Sequence, residues 1–261
     1  MLFLSTQPLW LSGLILLVPT TLIAMAGPMI VRRFITLDHL RTNNEVAGFK
    51  FATVGVIYAV LLAFAIIVVW ERFNHAESDV AKEAGAAAIV FRLAQGLDAA
   101  HDAAIGKATT AYLKAAIDKD WPAMDREQAS PETTQALNAI YDAVLKFHAV
   151  DADEGVVIPE ILRNLDQLAE ARRDRLVAAS GIVPDIIWIV LFGGAFLTIG
   201  FTFFFGTANL RAQSVMSGAL SLLIFGGLMT IISIDHPFAG PVKVRPDALA
   251  AVLEDFGDAA R

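Results

Sequence analysis

The sequence predicts an all-α integral membrane protein, with four transmembrane helices and a helical bundle domain inserted between spans two and three. Three observations carry that expectation. Of 261 residues, 56% are hydrophobic and the mean hydropathy is +0.58, above the roughly 45–50% apolar content of soluble domains. The excess gathers in four stretches, each near the ~20 residues a helix needs to cross a hydrocarbon core. Between the second and third stretches, residues 71–182 hold 19 Asp and Glu against 12 Lys and Arg, and no β-branched alternating run interrupts their helical periodicity.

The expected division is residues 1–70 for spans one and two, 71–181 for the water-facing helical domain, 182–234 for a transmembrane hairpin, and 235–261 for a C-terminal tail. Span one covers about 9–31. Pro19 and Pro28 predict a kink or a broken last turn, and Arg32 and Arg33 end it at the interface. A polar connector, FITLDHLRTNNEVAG, follows, with Asn43 and Asn44 as turn residues.

Span two covers about 48–70, with Trp70 suited to the headgroup level. Beyond it Phe73, Val80, Ala84, Ala87, Val90, Phe91 and Ala94 keep helical spacing, so the helix is expected to project past the bilayer. In the domain one helix is expected over 103–119. A second runs from Pro131, capped by Ser130, to about Val150. After the turn DADEG a third runs over 159–180, with leucines at 162, 165, 168 and 176 and Arg172, Arg173 and Arg175 near its end. Spans three and four, about 182–205 and 212–234, are joined by a six-residue link into an antiparallel hairpin.

Four spans place both termini and the helical domain on one side. Counted near the span ends, that side carries eight Lys and Arg and the link side five. The positive-inside rule then makes the domain and termini of this multi-pass protein cytoplasmic. The N-terminus lacks a basic n-region and a small-residue cleavage site, so the first stretch reads as a retained span.

Several functional classes are excluded. No cysteine is present, which removes disulfides, thiolate metal sites and thiol catalysis. The acidic domain lacks the basic footprint of nucleic-acid binding. The acidic turn at Asp151 and Asp153 does not fit a calcium loop, because Gly155, Val156 and Leu162 stand where oxygen ligands, glycine and glutamate are needed. Histidines 39, 75, 101, 148 and 236 are scattered, and no catalytic fingerprint appears. No enzyme activity, cofactor or metal is expected. No ionisable group lies near a span midplane, whereas proton-coupled carriers need one.

The candidate pore or helix-packing residues lie on span two. Gly48, Ala52, Gly55, Ala59 and Ala63 form one stripe of small side chains. Such a stripe serves either packing within one chain or an oligomer seam around a shared axis. Thr53, Tyr58 and Phe64, with Thr198 and Thr202 on span three, are the residues available to line a passive path. The run FTFFF at residues 201–205 reads as an interfacial aromatic belt. After span four, Asp235, Pro237, Phe238 and Gly240 mark an irregular exit from the membrane, read either as a helix stop or as a structured collar.

Three blocks carry a family resemblance: NEVAGFKFATVGVIYAVLLAFAIIVVWE at 44–71, VPDIIWIVLFGGAFLTIGFTFFFG at 183–206 and DHPFAGPVKVRPDAL at 235–249. Together they resemble a bacterial and plant family of unknown function described as bestrophin-like. The resemblance to bestrophins themselves rests on four spans, a helical domain after span two, and the Asp-Pro-Phe-like motif. It implies a homo-oligomer, a pentamer in bestrophins, with span two lining an ion pathway and the helical domain forming a vestibule. Inorganic ions and the lipid bilayer are then the expected partners. Calcium gating is not implied, because Pro237 and Phe238 are followed by AGPVKVR and not by a run of acids. A carboxylate-rich vestibule favours cations over anions, so selectivity stays open. The rival expectation is a non-conducting membrane scaffold or sensor whose helical domain binds a partner.

Overall fold

A computed structural model describes residues 6–42, 44–146 and 154–259. Asn43, His148, the acidic turn at Asp151 and Asp153, and the expected helix end at Val150 fall outside them. All regular structure among the described residues is helical. The helices are α1 Leu9–Phe34, α2 Leu37–Thr42, α3 Asn44–Ala94, α4 Ala99–Ala115, α5 Trp121–Met124, α6 Pro131–Leu145, α7 Glu154–Ala178, α8 Asp185–Thr202, α9 Leu210–Ile234 and α10 Asp247–Ala259. A π-helical turn, Ala116–Asp120, joins α4 to α5.

The chain divides into two compact units. One comprises Met1–Glu71 with Ile182–Asp235, the other Arg72–Gly181 with His236–Arg261. α1, α3, α8 and α9 are each long and apolar enough to cross a membrane.

Within the first unit, close contacts set the helix directions. A Cβ at Gly13 would stand 3.3 Å from Met229, and one at Gly218 would stand 2.6 Å from Met25, so α1 and α9 run antiparallel. Phe51 meets Phe201 and Phe205 while Tyr58 lies against Gly194, so α3 and α8 are antiparallel too. α1 keeps its helix through both prolines to Phe34, so of the expected kink or broken last turn the second does not occur. A proline removes one hydrogen bond, whereas ending the helix in an apolar setting would strand several. The connector also contains more helix than expected. α2 occupies part of it, and α3 begins at Asn44, four residues before the predicted start.

The FTFFF run corrects another expectation. Phe204 is exposed, but Phe203 fills the space opposite Gly27, and Phe201 and Phe205 pack on Phe51. The run is chiefly a helix-end packing cluster and only at Phe204 an outward aromatic. Next to it Asn44 bonds Gly206 twice, its Nδ2 donating to the carbonyl at 3.0 Å and its Oδ1 accepting the N–H at 2.9 Å.

The second unit is a helical bundle. Continuous helix to Ala94 matches the periodic positions, for Val80, Ala84, Ala87, Val90 and Ala94 are all buried. At ~1.5 Å per residue, the 51 residues of α3 extend about 76 Å. The Asp98 side chain caps α4, accepting from Ala100 N–H at 2.9 Å, which starts the helix four residues before the expected 103. Ser130 caps α6 as its sequence context predicts, accepting from Thr133 N–H at 3.3 Å. α7 starts at Glu154 and carries Pro159 inside it, where residue 159 was the expected start. Leu165 and Leu168 of α7 are fully buried. The tail contributes α10, which no sequence expectation contained. Its Phe256 stacks on Phe91 with ring centroids 3.7 Å apart.

Candidate functional site

The span-two part of α3 is the most apolar of the four candidate spans and the least covered. In its most apolar window 11% of residues are buried, against 44% for α9. At about 100° per residue, Phe51, Tyr58, Leu62 and Val69 share one face. Tyr58 and Val69 are buried there, and Leu62 lies 3.0 Å from where a Cβ of Gly227 would stand. Gly48 and Gly55 sit at the edge of that face, and among the described residues no atom outside the local helix backbone lies within 4 Å of a Cβ built on either. Ala52, Ala59 and Ala63 are exposed. Packing inside the chain therefore does not occupy the stripe.

The other candidates separate clearly. Tyr58 is an interior packing residue, 5% exposed, whose hydroxyl donates to Leu191 O at 3.0 Å. It is not placed to line a path along the uncovered face. Thr53 and Phe64 are on that face and exposed, with the Thr53 hydroxyl donating to Phe49 O at 3.2 Å. Thr198 is buried, and the Thr202 hydroxyl lies 3.0 Å from that of Ser217.

After α9 several residues are held by specific contacts within their own units. The Asp235 carboxylate accepts from the N–H groups of Ile182 and Val183 at 3.2 and 2.8 Å. In the second unit, Pro237 O accepts from Val244 N–H at 2.7 Å, closing a loop in which Gly240 has φ +82°. Phe238 is fully buried, edge-on to Trp121, and the Trp121 indole donates to Val244 O at 3.2 Å. Such bonds fix the loop from Pro237 to Val244 within the second unit.

A buried charge network in the second unit was not anticipated. Arg175 is fully buried and donates to Glu83 at 2.6 and 2.9 Å and to Asp120 at 3.1 Å. Arg172 donates to Asp120 at 2.9 and 3.3 Å. The Tyr112 hydroxyl donates to Glu83 at 2.5 Å. The Arg175 guanidinium also sits 4.6 Å from the Trp121 ring centre. Burial pushes the Asp120 carboxyl up, but the Arg172 hydrogen bond and the two guanidinium charges outweigh it and hold the group below its usual range. Burial, then the Glu83 charge, raises the Tyr112 phenol well above its ordinary value.

With Arg172 and Arg175 committed to buried pairs, the eight basic residues counted for the expected domain side become six, against five for the expected link side. The signal in the sequence was the i, i+3 spacing of two arginines among the buried leucines of α7. Among the described residues, no group of three or more His, Asp or Glu is placed to hold a metal ion.

The profile of the Bestrophin-like domain matches residues 18–249. The chain belongs to the bestrophin-like family. Two crystal structures of single-substitution variants of a bacterial bestrophin homologue from Klebsiella pneumoniae each match this chain with a TM-score of 0.71. They are 15% and 18% identical in sequence and cover 94% and 93% of this chain and 98% of theirs. A further structure of that homologue matches with a TM-score of 0.68 at 17% identity, covering 92% of this chain and 96% of its own. At such identities the likeness is one of fold. No curated protein matches the sequence. The bestrophin-like chain is thus a membrane protein of bestrophin architecture.

Proposed function

We propose that this bestrophin-like protein is a homo-oligomeric ion channel in a bacterial inner membrane. α1, α3, α8 and α9 are its four spans, α3 faces the axis, and the termini and the second unit lie in the cytoplasm. The observation that carries the reading is the uncovered face of α3, the most apolar span and the one its own chain covers least. Small residues at its edge, open around Gly48 and Gly55, let helices of neighbouring copies approach closely in lipid, where packing replaces the hydrophobic effect. The pentameric state of bestrophins supplies the expected stoichiometry. The remaining excess of basic residues supports the orientation.

Purified protein in a planar bilayer is expected to give ion currents under chloride, sodium or potassium gradients. Because the chain has no cysteine, Gly55→Cys and Ala59→Cys are clean crosslinking probes, and oxidation should convert most of either variant to dimers. Efficient crosslinking with electrical silence would favour the scaffold or sensor. Neither crosslinks nor currents would remove α3 from the axis.

A further inference from the structure

The first unit also holds a polar feature away from α3's open face. A cleft of about 470 Å³ lies between the start of α3, the end of α8 and the start of α9, and its polar lining is Asn44, Thr202, Thr207, Gln213 and Ser217. Much of that lining is already bonded. Gln213 donates to Thr202 O and Phe205 O at 3.1 and 2.7 Å and accepts from the Thr207 hydroxyl at 2.8 Å.

The side chains one turn deeper are not. α8 and α9 run in opposite directions with Thr202 beside Ser217, so Thr198 and Ser221 each stand one turn further in. Thr198 is 2% exposed and Ser221 fully buried, and neither hydroxyl has a hydrogen-bond partner among the described residues. The Ser214 hydroxyl, 2% exposed on the same side of α9, is likewise unpartnered. So is that of Thr21 on α1, whose methyl would lie 3.6 Å from a Cβ at Gly218. Elsewhere in these helices hydroxyls bond the carbonyl one turn back, as Thr20 does to Leu16 at 2.6 Å, Thr230 to Gly226 at 3.1 Å and Ser233 to Met229 at 2.7 Å. Thr198, Ser214, Ser221 and Thr21 depart from that habit, the first three one turn from the Thr202–Ser217 contact and the last beside Gly218.

We propose that α1, α8 and α9 enclose a hydrated seam, a binding site for a short file of water molecules that enters from the cleft and reaches the middle of the span bundle. Hydroxyls one helical turn apart are separated by about 5.4 Å, a gap that one water fills with a bond of about 2.8 Å at each end. Water held by two to four polar partners is the usual occupant of such sites, whereas apolar cavities stay dry. Thr21, Thr198, Ser214, Ser217 and Ser221 bring no formal charge, so burying an ion among them costs far more than burying water.

Water itself is the probe. In this cysteine-free chain, single replacements Ser217→Cys, Ser221→Cys, Thr198→Cys and Leu228→Cys each add one S–H group whose infrared stretch shifts when it exchanges in D2O. Leu228 is fully buried on α9 with no hydroxyl of its own and serves as the dry reference. The full-length variants are purified in detergent and checked against the parent by elution and melting. Serine to cysteine is nearly isosteric, so two serine sites keep the comparison available if the threonine variant fails to fold.

Exchange at positions 221 and 198 should be at least about tenfold faster than at 228, as expected where water has its own site. Any smaller ratio overturns the seam. Position 217 should exchange before 221, and the reverse order overturns entry through the cleft. The test contains no ion current, so it stands or falls apart from the channel reading.

Discussion

At Gly206 the backbone of Leu40 and Arg41 passes so close that a Cβ would lie 2.6 Å from Arg41 N and 2.8 Å from Leu40 C. These are backbone atoms and cannot swing aside. Gly206→Ala is therefore expected to cost about 1–3 kcal/mol through forced displacement. Gly85→Ala, with open space around it among the described residues, should be neutral or should stabilise by up to about 1 kcal/mol from helix propensity. Thermal melts of both variants in the same detergent test the contrast, and equal melting temperatures would contradict it. Single residues of this kind were the least legible in the sequence. Asn44 read as a turn residue and Gly206 as the start of a link, but their mutual bonds depend on which segments fold side by side. Tyr58 was ambiguous for the same reason, since an aromatic on an apolar helix gives no sign of the Leu191 carbonyl waiting opposite it.

Among the elements, the π turn at Ala116–Asp120 and helix α7 depend on each other. The turn delivers Asp120 to Arg172 and Arg175, and the Asp120 carboxylate also accepts the Ser130 N–H at 2.9 Å, at the start of α6. Removing one partner of a buried pair is strongly destabilising, so Asp120→Asn should cost about 3–5 kcal/mol at neutral pH. The Asp120 carboxyl is held below its usual range. Its contribution is therefore complete above the unfolded value near ~3.9 and fades as pH falls through the folded one. The difference in melting temperature between parent and variant should thus be steady from neutral pH to about 5 and close under more acid conditions. A gap that widened on acidification would refute the assignment.

Element existence was largely readable, because long periodic helices announce themselves. α3 followed its spacing into the second unit, and Ser130 followed by Pro131 marked the start of α6. α10 escaped although Leu249, Val252, Leu253 and Phe256 have helical spacing after Pro246. The irregular prolines before it drew the segment toward a tail. The three arginines of α7 read as interfacial charge, since burial of a cation requires acids that arrive from elements far away in sequence.

On the scale of the whole molecule, the second unit is assembled from chain on both sides of the α8–α9 hairpin. Residues after 235 provide Phe238, Val244, Leu249 and Phe256 to its core. Deleting residues 236–261 should leave the four apolar helices able to reach the membrane fraction. It should strip the second unit of protection, so that limited trypsin digestion cuts within residues 72–181 where the parent resists. A truncated chain with the parent's digestion pattern would show that those late residues are dispensable. The family and the helical class were legible at this scale, through patterning and three sequence blocks. The division of the core between distant segments was not, because hydrophobic periodicity tells which face is buried and says nothing of what buries it.

The stack of Phe91 on Phe256 has a consequence for biosynthesis. The ribosome releases Phe91 long before Phe256 has been translated, and the hairpin between them must be dealt with in the interval. Throughout that interval nascent α3 presents an unfinished apolar surface to the surroundings. Completion waits for the last stretch of message, which makes this chain a natural client for chaperones that shield partly made proteins.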